Sequence, residues 1–234
     1  MRDALRAAEP PPLPAPDAAL QDHVDHALAQ PRPDSRALFT VAGELAACWR
    51  EEDLDPRDPW LLSRDYYPLY HSLLRELRPC PAPRLLEIGV RTGYLAVVFA
   101  RATAGAGHYV GVDPDFYLPD GLKRARRALR QVGREYPALT SEFIAGSSHD
   151  PRIRQRLQRR PRFDLIHVDG DHSLEGKIAD LALARDLLAP GGLVLVDDFT
   201  HMASVPLALR HAFARGWYRR FATAPTMRGL ALLG

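Results

Sequence analysis

From residue 84 onward, short apolar runs alternate with stretches of helical periodicity, and this alternation restricts the chain to few folds. Five of the runs, bounded by glycine, proline or polar residues, are typical of buried strands: residues 84–89, 108–113, 139–145, 163–169 and 192–198. Helical segments separate them at residues 94–103, 121–134, 152–160 and 174–188. Strands alternating with helices predict a parallel sheet with helices on both faces.

The end of the chain departs from this alternation. A helix over residues 207–214 precedes two apolar runs, 217–223 and 229–233, which are joined by a short turn. Because a parallel pair needs a long crossover, one of these closing strands should be antiparallel. The fold class expected is therefore α/β, with a mostly parallel sheet.

The region before residue 84 has a different composition. Residues 1–34 are rich in proline and predict a flexible leader, with one short amphipathic helix over residues 17–30. Ser35 could cap a helix over residues 36–52, and another helix is expected over residues 60–77, kinked or split near Pro68. We therefore expect a leader over residues 1–34 and one domain over residues 35–234, with N-terminal helices at 35–80 and the core at 84–234.

Composition excludes several classes of protein. The net charge of +2 gives no strong attraction to nucleic acid or to a membrane surface, and two cysteines are too few for a secreted disulfide framework. No apolar stretch is long enough to span a bilayer, and the N-terminus lacks the apolar centre of a signal peptide. We expect a cytoplasmic protein that contacts no membrane; the sequence leaves a homo-oligomer open.

The turn after the first strand, in LLEIGVRTGY, has the pattern Glu87-x-Gly89-x-x-x-Gly93. Glycines there allow a tight turn and close approach of a ligand. The spacing differs from the G-x-G-x-x-G of nicotinamide sites, and an acid at this point suits a cationic ligand better than a phosphate. Asp113 ends the second strand, where α/β sites place an acid for ribose hydroxyls, and a Gly-Ser-Ser segment follows the third strand.

Three aspartates end the fourth and fifth strands: Asp169, Asp197 and Asp198. We expect the three carboxylates to lie close together at one edge of the sheet, which is costly unless they are protonated or neutralised by a cation. Oxygen ligands suit magnesium, manganese or calcium. Alternatively, Asp197 and Asp198 belong to a solvated loop. Asp171 or Ser173 could cap the helix that begins near residue 174.

The segments LEIGVRTG and GVDP, with the closing pair of strands, resemble the class I S-adenosylmethionine-dependent methyltransferases. The resemblance covers residues 84–234 and implies a Rossmann-like, seven-stranded sheet in the order 3-2-1-4-5-7-6 with strand 7 antiparallel. It also implies that S-adenosylmethionine is the cofactor. The cofactor-binding residues it implies are Glu87, Gly89, Val90, Gly93, Asp113, Ser147, Ser148 and Asp169.

The segments IHVDGDHSLEG and LLAPGGLVLVDDF resemble a narrower group, the metal-dependent O-methyltransferases of natural-product pathways. This group includes macrolide-sugar methyltransferases and the cephalosporin hydroxylase-like proteins. The resemblance implies Mg²⁺ or Mn²⁺ on Asp169, Asp197 and Asp198, and catalysis by Asp169 with His172 as general base. The acceptor it implies is a hydroxyl of a small molecule, such as a natural product or its sugar.

Three other functions remain open. One is a metal-independent or non-catalytic S-adenosylmethionine-binding protein, and another is a nicotinamide oxidoreductase, which the glycine spacing disfavours. The third is an RNA methyltransferase, because residues 123–130 and 152–162 are basic; their helical spacing among apolar residues favours a solvated face instead.

His167 alternates with Leu165, which predicts a buried, hydrogen-bonded core histidine. Tyr66, Tyr67 and Tyr70 are expected in the core, and the resemblance allows one to line a pocket.

Overall fold

The main sheet has seven strands in a computed structural model that describes residues 10–41, 44–45, 66–114 and 120–234. Numbered β1 to β7 along the chain, they are Arg84–Ile88, His108–Asp113, Thr140–Ala145, Phe163–Val168, Leu188–Val196, Phe221–Ala224 and Leu230–Leu233. Their order is 3-2-1-4-5-7-6; β1 to β5 are parallel, and β7 is antiparallel to β5 and to β6. The predicted fold class and strand order are confirmed.

Helices cover both faces of this sheet. In the described part of the chain they are α1 to α8: Ala18–Ala29, Ser35–Phe39, Tyr67–Leu77, Tyr94–Ala102, Gly121–Glu135, Pro151–Gln158, Leu174–Leu187 and Ser204–Ala214. One apolar core lies between the sheet and α1 to α5, and a second lies between the sheet and α6 to α8. Alternate strand residues face the two cores: on β5, Leu193 and Leu195 face the first, Val194 and Val196 the second.

Helix α1 forms where the sequence predicts a short amphipathic helix, and it packs against α3 and β6. Asp17 caps it by accepting a 2.8 Å hydrogen bond from the backbone N–H of Leu20. Leu20, Val24 and Ala27 are buried. Burial of this apolar stripe means that residues 18–29 of the predicted flexible leader are ordered against the domain.

The same segment is hydrogen-bonded to β6, at the end of the sheet. The backbone N–H of Asp17 donates to the carbonyl of Phe221 at 2.6 Å. The Gln21 side chain donates to the carbonyl of Thr223 and accepts from its N–H, both at 3.0 Å. β6 therefore has β7 on one side and the start of the α1 segment on the other.

The helix predicted over residues 36–52 ends at Phe39. Thr40–Val41 pairs with Glu44–Leu45 in a short antiparallel ladder, in keeping with the preference of β-branched residues for extended backbone. The rest of that prediction, and the start of the helix predicted over residues 60–77, lie outside the described residues. α3 begins at Tyr67 with Pro68 in its first turn, where proline is tolerated, so the expected break near Pro68 is the helix start.

Strand β5 is displaced from the predicted residues 192–198. It begins at Leu188 and ends at Val196. Its register with β4 shifts between the pairs Phe163–Leu188 and Leu165–Leu193. Asp197 and Asp198 therefore lie just beyond the strand, at the same sheet edge as Asp169. Among the described residues, no helix has the length and apolar character needed to cross a membrane.

Candidate active site

A cleft opens at the carboxyl ends of β1 and β4, the edge of a parallel sheet where ligands bind. The empty space within it, with open solvent included, is about 490 Å³. Glu87, Gly89, Val90 and Asp169, four of the predicted cofactor residues, line it. The three tyrosines at the start of α3 line it as well, although they also pack in the first core.

The glycine turn after β1 brings the first motif onto the end of β4. Gly89 and Gly93 have φ angles of +93° and +82°, which favour glycine. A Cβ on Gly89 would lie 2.2 Å from the carbonyl oxygen of Asp169, and one on Gly93 would lie 2.6 Å from the Cβ of Ala125. The sequence motif therefore serves close packing of the turn against β4 and α5.

Asp113 ties the end of β2 to this turn. Its Oδ2 accepts a 2.9 Å hydrogen bond from the backbone N–H of Arg91, and the residue is 8% exposed. The structure thus brings Glu87, Gly89, Gly93 and Asp113 to one edge of the sheet, as the motif spacing predicts.

Ser147 and Ser148 have other partners. The Ser148 hydroxyl donates to Asp180 on α7 at 2.6 Å, and the Ser147 hydroxyl accepts from the N–H of His149 at 3.1 Å. In the described part of the chain, neither serine is among the residues that line the cleft. Ser148 connects the β3 loop to α7, a role that the sequence analysis did not predict.

Glu87 is buried on the floor of the cleft. The Tyr109 hydroxyl donates a hydrogen bond to it, and His167 Nδ1 lies 4.0 Å from Glu87 Oε1. Burial raises the pKa of Glu87 well above its usual range. A cationic ligand in the cleft would stabilise the ionised form of this carboxyl.

His167 is the buried, hydrogen-bonded core histidine that the strand pattern predicts. It is 4% exposed, and its Nε2 lies 3.1 Å from the hydroxyl oxygen of Tyr70. Burial lowers the pKa of His167 to about 4, so the imidazole is neutral near pH 7. The prediction is confirmed.

Asp169, His172 and Asp198 form an acidic cluster near the carboxyl end of β4. His172 Nε2 lies 3.3 Å from Asp169 Oδ1 and 3.4 Å from Asp198 Oδ2. The three residues offer potential ligand atoms that all lie within 4.8 Å of one another. From the sequence, Asp197 was expected in this group, and His172 was expected to act separately as the general base.

Asp197 points elsewhere, because the backbone turns at Asp198 just beyond the strand. The Tyr66 hydroxyl of the α3 segment donates a hydrogen bond to its Oδ2. Burial, and then the charge of Asp169, raise the pKa of Asp197 to about 7. Asp198, which has a φ of +66°, turns toward His172 instead. Both aspartates are fully buried, so a solvated loop does not describe them.

Two opposing effects set the charge of the Asp169–His172 pair. Burial raises the pKa of Asp169, but the hydrogen bond with His172 and nearby positive charges outweigh it, and the pKa lies below its usual value. The hydrogen bond with Asp169 is the largest influence on His172 and raises its pKa. The pair therefore favours an ionised carboxylate beside a basic imidazole.

Two cations near the cluster were missed by the sequence analysis. Arg228, between β6 and β7, makes an ion pair with Asp198 and lines the cleft. Lys177, in the first turn of α7, is fully buried. A signal for Lys177 was present, because it shares the inward helical spacing of Leu181 and Ala184.

Ser173 caps α7, as one of the two predicted alternatives. Its hydroxyl accepts a 3.0 Å hydrogen bond from the N–H of Gly176. Asp171 Oδ1 in turn accepts from the N–H of Ser173 at 2.8 Å. Asp171 thus stabilises the loop that carries His172.

The acidic cluster has the donor set of a divalent cation site. Asp169 and Asp198 supply carboxylate oxygens, which suit Mg²⁺ or Mn²⁺, whereas the imidazole nitrogen of His172 is a ligand typical of softer divalent ions. Asp197 Oδ1 is buried with no hydrogen-bond partner among the described residues. The residues therefore fit such an ion, although a cation on Asp198 would compete with Arg228.

The basic residues of α6 and of the segment just after it are not among the described residues that line this cleft. Arg156 and Arg160 pair with Glu142 of β3 at 2.5 and 2.6 Å. Part of the basic character of this helix is thus neutralised locally.

Residues 86–199 match the sequence model of a family described as a methyltransferase domain. The rhamnosyl O-methyltransferase of Mycobacterium bovis and Mycobacterium tuberculosis is 31% identical over 133 residues, which are 55% of this chain and 49% of that relative. The chain thus spans about half the length of the curated relatives it matches.

Two solved structures share the fold. CalS11, a TDP-rhamnose 3′-O-methyltransferase of calicheamicin biosynthesis, is 17% identical with a TM-score of 0.61, over 94% of this chain and 96% of its own. TomG from Streptomyces achromogenes, solved with S-adenosylmethionine, is 20% identical with a TM-score of 0.56, over 92% and 95%. At these identities the likeness concerns the fold.

Proposed function

We propose that this chain carries a class I S-adenosylmethionine-dependent methyltransferase domain and that it methylates a hydroxyl group of a small molecule, a sugar or another natural product. The resemblance to the class I methyltransferases is supported by the family match over residues 86–199 and by the strand order. The relatives with rhamnosyl and TDP-rhamnose O-methyltransferase names support the choice of a hydroxyl acceptor.

One observation carries the proposal: the glycine turn after β1 and Asp169, one member of the acidic cluster, line the same cleft. A Cβ on Gly89 would touch the backbone of Asp169, so the two motifs are in direct contact. A methyl donor held by the turn would therefore lie beside groups that can orient and deprotonate an acceptor. Holding both reactants in line can supply a large part of the acceleration.

We assign cofactor binding to the residues of the first two strand ends. Asp113 would accept hydrogen bonds from the ribose hydroxyls, and Glu87 would face the cationic methionine part of S-adenosylmethionine. Gly89 and Gly93 would allow the cofactor to approach the backbone. Ser147 and Ser148 stay in the proposal only as neighbours of the adenine end, since the Ser148 hydroxyl is already bonded to Asp180.

We assign proton removal to His172. If its Nε2–H is donated to Asp169, the lone pair of Nδ1 remains to accept the proton of the acceptor hydroxyl. The side chain is 37% exposed, so it is open to the solvent side of the cluster. Asp169 would stabilise the imidazolium that forms, as an acid beside a catalytic histidine does.

We propose Asp169, Asp197 and Asp198 as the residues that hold Mg²⁺ or Mn²⁺. Asp197 would contribute Oδ1, the oxygen that does not accept from Tyr66. A cation bound there would lower the pKa of the acceptor hydroxyl. The Asp198–Arg228 ion pair would have to open for this binding.

Calorimetry with S-adenosylhomocysteine tests the cofactor assignment. We expect micromolar binding, no binding of NAD, and a loss of about 1–3 kcal/mol for Asp113→Ala through lost charged hydrogen bonds. Asp186→Ala, which removes an acid from the exposed side of α7, is the matched control and should leave the affinity unchanged. Binding of NAD without S-adenosylhomocysteine would exclude the proposal.

Chelation distinguishes a metal-assisted enzyme from a metal-independent one. The metal-independent alternative is favoured by the contacts of Arg228 with Asp198 and of Tyr66 with Asp197. If the metal is required, EDTA abolishes methyl transfer to a sugar-hydroxyl panel, and Mg²⁺ or Mn²⁺ restores it. Asp198→Ala should then lose turnover and keep S-adenosylhomocysteine binding. Full activity after exhaustive chelation would assign the cluster to proton transfer alone.

A further inference from the structure

Lys177 is a buried cation that the proposed reaction leaves without a role. It lies in the first turn of α7, one turn after Ser173, and is 0% exposed. Among the described residues, its Nζ has no hydrogen-bond partner. Because its backbone belongs to the helix that follows the Asp169–His172 loop, its position is tied to the acidic cluster.

The choice of residue at this position is unusual for the chain. Of its 31 lysine and arginine residues, two are lysines: Lys123, whose side chain is 67% exposed, and Lys177. A buried ammonium costs several kcal/mol unless charges of opposite sign compensate it. The N-terminus of a helix adds to that cost, because its dipole repels cations. A compensating negative charge must therefore be close.

Lys177 shares the inward face of α7 with Asp180, which is also fully buried. This face packs on the loop of the acidic cluster, because a Cβ on Gly170, next to Asp169, would lie 2.9 Å from Asp180 Oδ2. Asp180 and the acidic cluster together supply the negative charge.

Burial is the largest influence on the pKa values of Asp169 and Asp198, and the ammonium of Lys177 lowers both. Arg228 contacts Asp198 from the opposite end of the chain. The carboxylates thus have cationic neighbours supplied by the protein itself.

We propose that Lys177 is a built-in counter-ion of the acidic cluster, which keeps the carboxylates assembled when no divalent cation is bound and weakens the affinity for that cation. This inference rests on the cation site of the proposed function. Lys177 does not line the cleft among the described residues, so it is a positioning residue and does not touch the acceptor.

Calorimetric titration of the purified protein with Mn²⁺ tests the inference without any activity measurement. Removing a unit charge near a divalent cation should tighten Mn²⁺ binding by about tenfold or more in Lys177→Met. Lys123→Met removes the other lysine from an exposed position and should leave the affinity unchanged. Equal affinity in wild type and Lys177→Met, or no binding by either, would overturn the proposal.

A second measurement does not depend on the folding of Lys177→Met. Protein labelled with ¹³C at lysine Cε gives two lysine side-chain signals, one for each lysine. Asp198→Asn, and separately Mg²⁺ added to wild type, should shift the Lys177 signal and leave that of Lys123 in place. A Lys177 signal that responds to neither would refute the counter-ion. Wild-type Mn²⁺ binding without tightening in Lys177→Met would refute the counter-ion and leave the proposed cation site standing.

Discussion

The contact between Gly89 and the carbonyl of Asp169 makes Gly89→Ala the most informative single substitution. Two penalties act together. The φ of +93° lies in the left-handed region, which costs an L-residue about 1–2 kcal/mol. The new Cβ would also lie 2.2 Å from a backbone oxygen, and overpacking of this kind costs about 1–3 kcal/mol. We expect the free energy of unfolding to fall by about 2–5 kcal/mol.

Gly191→Ala is the matched control. Gly191 has a φ of +77°, and nothing lies within 4 Å of its added Cβ, so it has the conformational penalty without the contact. Urea denaturation of both variants should place Gly89→Ala about 1–3 kcal/mol below Gly191→Ala. Only Gly89→Ala should weaken S-adenosylhomocysteine binding in calorimetry. Equal destabilisation of the two variants would refute the packing of the turn on β4.

Three other predictions concern separate parts of the molecule. His172→Ala should lower kcat by about 10²–10⁴-fold, the usual contribution of a positioned base, with S-adenosylhomocysteine affinity unchanged; loss of that affinity would contradict the assignment. The hydrogen bond with Asp180 raises the pKa of His149, so this pair stabilises the fold below the ordinary histidine pKa of about 6.5 and loses its contribution as pH rises through the raised value. His149→Gln should therefore destabilise the protein more in urea at acidic than at alkaline pH, and an equal effect at both would contradict the pairing. Gly133→Ala, within α5 and with open space around the added Cβ, should raise the free energy of unfolding by about 0.5–1 kcal/mol, and destabilisation in the same assay would contradict this.

The regular part of the fold could be predicted from the sequence because its strands are short and apolar on both faces. β2 has the predicted bounds, and β1 and β4 each end one residue earlier than predicted. The antiparallel β7 followed from the short connection between the last two strands. The glycine turn and Asp113 were predicted for a similar reason, since both lie at strand ends, where the topology decides which residues meet.

The side-chain contacts of the acidic cluster could not be predicted from the sequence. Asp197 and Asp198 are adjacent in the chain, and the sequence analysis treated them as a pair. Their side chains diverge because the backbone turns at Asp198. Asp197 accepts a hydrogen bond from Tyr66, which lies at the start of α3 and is distant in sequence. Arg228 reaches the other from the β6–β7 connection. Contacts between residues so far apart in sequence are set by packing and leave no local pattern.

The hydrogen bonds of Asp17 and Gln21 to β6 bear on how the protein behaves in concentrated solution. An uncovered outermost strand presents unpaired N–H and C=O groups to which another chain can add a strand. The α1 segment occupies this position by accepting from the N–H of Thr223 and donating to two β6 carbonyls. A protein shortened to begin at residue 34 would expose this edge, and we expect it to self-associate by β-augmentation as its concentration rises in light-scattering experiments, whereas the longer chain resists such strand addition.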